Sequence, residues 1–272
     1  MAYFDFNGKK IYYEIHGEGR PIVLLNGIMM STLSWKMFVE SLSANNKLVL
    51  LDFFDQGQSD QYTEEPYNQD LQVKALKALL DHLNLEAPAL AGISYGGNVA
   101  LKFAVTYPDY IDRLLIFNAS AKTGDWLKEM GQSWIMSAKD PAHFYNTTIP
   151  IIYSKMFYDG KSKWMQERKK FLVDNIFNNK VFLDGIIRLI QSADDYNIED
   201  EMSKITAKTL IVASQYDPIT PFSDQKQLHD GIKDSELVIL PDCGHATMYE
   251  NPVLFTTLIL GFANSKFEGL KI

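Results

Sequence analysis

Cysteine is nearly absent. Cys243 is alone among 272 residues, which excludes an internal disulfide and fits a reducing compartment. Long hydrophobic runs are missing too, and none approaches the roughly 20 residues that a bilayer-spanning helix needs. Residues 1–10 lack a basic stretch followed by an apolar one, so no signal peptide is expected. Nor is there any excess of cations: 26 Lys and Arg stand against 34 Asp and Glu, for a net charge of −8. That balance gives no support to a nucleic-acid partner; it suits solubility and is a poor guide to substrate charge. No His/Cys/Asp/Glu grouping has metal-ligand spacing, and no Gly-x-x-x-x-Gly-Lys phosphate loop occurs. A soluble, cytoplasmic protein without metal or cofactor is the expectation.

What is present is a core. Hydrophobic residues make up 46% of the chain, ample for one α/β domain with an insertion. Asn7-Gly8 lies between alternating stretches at 3–6 and 9–15, the pattern of a hairpin with a tight turn. Strands made almost wholly of apolar residues are predicted at 22–25, 48–51, 88–91, 113–117, 209–212 and 237–240. Helices are predicted over 32–42, 70–83, after residue 96, near 223–231 and from about 253. Continuous apolar strands alternating with helices predict a mostly parallel sheet of about eight strands, covered on both faces. The rhythm breaks between 121 and 197, where aromatic and methionine residues such as Trp126, Trp134, Met156 and Trp164 cluster without a clear strand. The expected organisation is therefore a core of residues 1–120 and 198–272 with a helical cap inserted at 121–197.

Gly92-Ile93-Ser94-Tyr95-Gly96 carries the chemistry. Chance alone yields a Gly-x-Ser-x-Gly in a chain this long roughly one time in ten, at about 7% usage for each residue. Its setting makes it specific: an apolar strand runs in and helical spacing runs out. Such a turn forces strained backbone on the serine, exposes its hydroxyl and points the Tyr95 N–H toward an oxyanion. Serine needs a histidine base, itself oriented by a carboxylate. Of the five histidines, His16, His82, His143 and His229 fit structural or surface roles. His245 instead follows an apolar strand in the loop Pro241-Asp242-Cys243-Gly244-His245. Asp217 follows another strand, in Tyr216-Asp217-Pro218, although an aspartate before proline is by itself an ordinary turn residue. Cys243 reads as a buried or incidental thiol.

The order Ser94, Asp217, His245, each after a successive strand, resembles the α/β-hydrolase superfamily over nearly the whole chain. Within it, the chain looks like a serine-nucleophile member of esterase or lactonase type with a helical cap. Residues Asp52-Phe53-Phe54-Asp55-Gln56-Gly57-Gln58-Ser59 are similar to the family's Asp-x-x-Gly-x-Gly-x-Ser loop, with Asp55 in place of its first glycine. The resemblance implies Ser94 as nucleophile, His245 as base, Asp217 as its orienter, and the N–H groups of Tyr95 and Ile28 as oxyanion donors. Most relatives have His-Gly where this chain has Asn26-Gly27, which leaves Met29 as the other candidate donor. A substrate pocket lined by Met29, Trp126, Trp134, Met156 and Tyr216 is expected under the cap, though core packing explains such residues equally well. The expected activity is hydrolysis of an ester, thioester or lactone of a small hydrophobic acyl or cyclic substrate. The alternatives are C–C bond hydrolysis, perhydrolysis, cofactor-free oxygen chemistry, or a non-enzymatic small-molecule sensor.

Overall fold

The computed structural model describes residues 2–266, so Met1 and residues 267–272 of the expected core segment lie outside the described residues. Strands β1 (Ala2–Phe6) and β2 (Lys9–His16) form the hairpin over Asn7-Gly8, whose φ values of 54° and 82° are the left-handed pair that a two-residue turn requires. The remaining strands are β3 (Arg20–Leu25), β4 (Asn46–Leu51), β5 (Ala89–Ile93), β6 (Arg113–Phe117), β7 (Lys208–Ser214) and β8 (Ser235–Leu240). They form one eight-stranded sheet in the order β1-β2-β4-β3-β5-β6-β7-β8, antiparallel up to the β2–β4 pair and parallel beyond it.

Alternation along the strands builds two cores. Val23, Leu25, Val49, Leu51, Leu114 and Ile116 face one hydrophobic cluster, while Ile22, Leu24, Leu48, Leu50, Leu115 and Phe117 face the other. With both sides buried, every residue of such a strand must be apolar, which is why these strands read as unbroken runs. The helices are α1 (Val39–Ser43), α2 (Gln69–His82), α3 (Tyr95–Thr106), α4 (Asp125–Ser137), α5 (Pro141–Ile152), α6 (Lys155–Gly160), α7 (Ser162–Phe171), α8 (Lys180–Ser192), α9 (Phe222–Gly231), α10 (Thr247–Glu250) and α11 (Pro252–Asn264). Helices α2, α3 and α9 cover the first face, and α1 and α11 the second. Phe255 of α11 lies 4.6 Å from the Phe117 ring and 6.0 Å from Trp35, fixing that helix to the sheet.

The helix expected over 32–42 is broken. A 3₁₀ turn (Thr32–Trp35) is followed after a gap by α1. Two buried polar groups outcompete the helix: the Thr32 N–H donates to the Asp52 carboxylate at 2.6 Å, and the Trp35 indole donates to the Asn26 side chain at 2.6 Å. Between β6 and β7 the chain is helical, α4 to α8, with a π-helical turn (Leu172–Ile176) after α7. Its starts follow local chemistry, since Asp140, Ser154 and Asn179 each cap the first turn of the helix that follows. An antiparallel bridge between Lys122 and Asn197 closes the base of this segment. No helix among the described residues is long and apolar enough to cross a membrane.

Candidate active site

Ser94 sits between the last residue of β5 and the first of α3, with φ 54° and ψ −122°. Its N–H donates to the Phe117 carbonyl at 2.9 Å and its carbonyl accepts from Asn98 at 3.0 Å, so the surrounding structure pins a conformation that costs on the order of 1–3 kcal/mol. The turn is possible only because its flanks are glycine. A Cβ on Gly92 would fall 2.3 Å from the Gly96 carbonyl oxygen, and one on Gly96 would fall 2.5 Å from that of Leu25. Tyr95 opens α3, so its N–H has no intrahelical acceptor and lies at the positive end of the helix.

Asp217 and His245 come together from loops after β7 and β8. The Asp217 Oδ2 accepts from His245 Nδ1 at 2.7 Å and from the Thr220 hydroxyl at 2.8 Å; its Oδ1 accepts the N–H groups of Ile219 at 2.8 Å and Thr220 at 3.1 Å. A carboxylate with four donors is held rigid. Because it only accepts, the imidazole proton must sit on Nδ1, which leaves Nε2 free as an acceptor. The histidine loop is anchored as well: buried Asn118 donates to the His245 carbonyl at 2.9 Å and to Thr247 at 2.8 Å. The Glu250 carboxylate accepts from Gly244 and Ser154, both at 3.0 Å, tying this loop to the start of α6.

Sequence reasoning left open how Asn26 replaces a histidine. Its amide donates to the Leu51 carbonyl at 2.8 Å and to Gln56 at 3.1 Å, and its oxygen accepts from Trp35. Gln56 in turn donates to the Gly27 carbonyl at 2.9 Å. The Asn26-Gly27-Ile28 turn is thus pinned to the loop after β4 by two buried amides. Neither the Gln56 nor the Asn118 role was singled out from the sequence; the only local signal is a polar side chain placed just beyond an apolar strand.

Ser94 lines two cavities of about 90 and 110 Å³. The larger is shared with His245, Gly27, Ile28 and Met29; the smaller with Tyr95, Asn98 and Asp194. Trp134, Ile28 and Ser94 line both. Three expected pocket residues are not brought there. Trp126 is 64% exposed and its indole donates to the Pro218 carbonyl; Met156 and Tyr216 are each 49% exposed. The helices carrying Trp126 and Met156 turn those side chains to solvent, and Tyr216 is held beside the histidine loop by its backbone, whose N–H donates to the Cys243 carbonyl at 2.8 Å. Arg168, which lines the larger cavity, was not anticipated. Among the remaining histidines, His16 pairs with Glu14 and His229 contacts Ser235. No group of three or more potential metal ligands is found among the described residues.

An eight-stranded, mostly parallel sheet with a serine at a strained strand-to-helix turn defines the class. Residues 19–252 match the family model described as serine aminopeptidase, S33, and the chain belongs to the α/β-hydrolase superfamily as a hydrolase of that fold. It is 29% identical over 266 residues to the AB hydrolase superfamily protein YisY of Bacillus subtilis (strain 168), covering 94% of this chain and 96% of the relative. It is 44% identical to MGS-M2, an alpha/beta hydrolase enzyme from a Medee basin deep-sea metagenome library, with a TM-score of 0.97 over 100% of both chains. The enol-lactonase of Burkholderia xenovorans LB400 shares the fold, with a TM-score of 0.86 at 20% identity over 97% of this chain and 100% of that one.

Proposed function

We propose that the protein hydrolyses a carboxylic ester, thioester or lactone of a small hydrophobic molecule through an acyl-enzyme on Ser94. The observation that carries the reading is the Asp217–His245 hydrogen bond of 2.7 Å on a histidine that lines the same cavity as Ser94. His245 Nε2 takes the Ser94 proton as the hydroxyl oxygen attacks the carbonyl carbon. Asp217 stabilises the imidazolium. The N–H groups of Tyr95 and Ile28 receive the developing oxyanion. The imidazolium then protonates the leaving group, and a water activated by the same histidine releases the acid. Residues 121–197 act as a cap over a core of 1–120 and 198–272. Cavities of about 90 and 110 Å³ on the two sides of Ser94 suit a substrate with short halves.

A fluorophosphonate probe and a p-nitrophenyl ester test this reading. Labelling is expected on Ser94 alone, and Ser94→Ala should lower kcat about 10³-fold or more. Mass spectrometry that places the adduct on Ser59, Ser214 or Cys243 would sink the assignment. Labelling of Ser94 without turnover of any ester would favour C–C hydrolysis, oxygen chemistry or a sensor.

A further inference from the structure

The two cavities that meet at Ser94 carry opposite charge. In the one shared with His245, Arg168 of α7 is the only permanent charge; most of the wall is apolar or thioether, as at Ile152, Leu172, Phe182 and Met248, with Ser34, Tyr249 and the Ser94–His245 pair as its polar groups and no carboxylate. In the other, Asp194 is the only charged lining residue. Arg168 also differs from the other three arginines of the chain. Arg20 and Arg113 pair with Asp112, and Arg188 pairs with Asp55. The Arg168 guanidinium is held by rings instead, 5.2 Å from the Trp164 centroid and 4.9 Å from that of Tyr249. Among the described residues no carboxylate reaches it, and its buried Nε donates to nothing. A guanidinium in an apolar wall, oriented but unpaired, is a preformed receptor for an anion.

Which half of the substrate brings that anion follows from proton transfer. The departing oxygen must lie within hydrogen-bond reach of His245, and His245 lines only the Arg168 cavity of the two. The leaving group therefore belongs beside Arg168 and the acyl group beside Tyr95 and Asn98. We propose that Arg168 binds a carboxylate on the leaving-group half, so that the substrates are acyl esters or thioesters of small hydroxy or mercapto acids. This assignment rests on the Ser94 hydrolase reading. In the reaction, the acyl C–O bond of R–CO–O–R′–COO⁻ breaks as water adds, giving R–COOH and HO–R′–COO⁻. The proton removed from Ser94 leaves on the hydroxy acid. A carboxylate suits this small apolar chamber better than a doubly charged phosphate, which costs more to desolvate.

The test compares 3-acyloxypropanoates with their neutral carboxamides, and with hemiesters that carry the carboxylate on the acyl half instead. The wild-type protein is expected to favour the acyloxypropanoate over its amide by about tenfold or more in kcat/KM, the worth of a hydrogen bond to a charged group. The hemiesters should show no such gain. Arg168→Gln should bring the ratio near one, and Arg168→Lys should restore part of it. Equal rates for acid and amide in the wild type, or a preference that survives Arg168→Gln, overturn the assignment while leaving Ser94 labelling intact. If neither Ser94 labelling nor any ester turnover is seen, the hydrolase reading itself fails. Should Arg168→Gln not fold, inhibition of the wild type by 3-hydroxypropanoate against its amide decides: stronger inhibition by the acid supports the proposal, and equal inhibition refutes it.

Discussion

Cys243 stands two residues before His245, and its environment explains why proximity does not make it reactive. It is buried, and burial, with the nearby charges of Glu250 and Asp242, pushes its thiol up to about 11. A raised value depletes the thiolate, leaving about one molecule in a thousand ionised at pH 8. Iodoacetamide at that pH is expected to spare Cys243 in the folded protein and modify it after unfolding in urea; rapid labelling of the native state would contradict this. Ser94, Asp217 and His245 could be named from local signals, because each follows an apolar strand that the sequence spells out. Asn26 and Gln56 could not. Their roles depend on an amide-to-amide contact across 30 positions, which no local pattern encodes.

Elements are joined by a second long-range contact. Asp55, at φ 70° where the family pattern has glycine, is fully buried and accepts from Arg188 of α8 at 2.6 and 3.0 Å. The Tyr62 N–H donates to that same Oδ1 at 3.0 Å, and the Tyr67 hydroxyl donates to Oδ2 at 2.6 Å. The departure from glycine thus exchanges an easy backbone for an ion pair that fastens α8 to the loop after β4. Removing one partner leaves an uncompensated buried charge. Arg188→Met should therefore cost about 3–5 kcal/mol, and adding Asp55→Gly should recover much of that loss. Urea unfolding of the single and double variants measures it; an equally unstable double variant would mean the pair is not coupled. The broken helix at 32–42 has a similar origin, since its apolar spacing is helical but Asp52 and Asn26 draw its polar groups elsewhere.

At the scale of the whole molecule, the segment between β6 and β7 supplies walls to both cavities at Ser94. Trp134 is buried and lines both cavities, whereas Met156 is half exposed on α6. Trp134→Ala should change the preference between neighbouring acyl chain lengths by about 10-fold or more, and Met156→Ala should leave it unaltered. A profile unmoved by Trp134→Ala, with stability lowered, would make that tryptophan a core residue only. Strand identity, the parallel sheet covered on both faces and the strained serine turn are all written in the sequence. Each follows from runs of a few residues whose apolar spacing or glycine content leaves one local solution. The walls of the cavities are not so written. Trp126 and Trp134 share α4 and have the same chemistry, yet one faces solvent and the other faces Ser94. Only the packing of α4 against α5 and α8 settles which side is inward. The same holds for Arg168. Along the chain it is one of three cations closing α7; in the folded molecule it is the one cation lining the cavity that Ser94 shares with His245, and the tertiary structure gives every other arginine an acid and gives this one two aromatic rings.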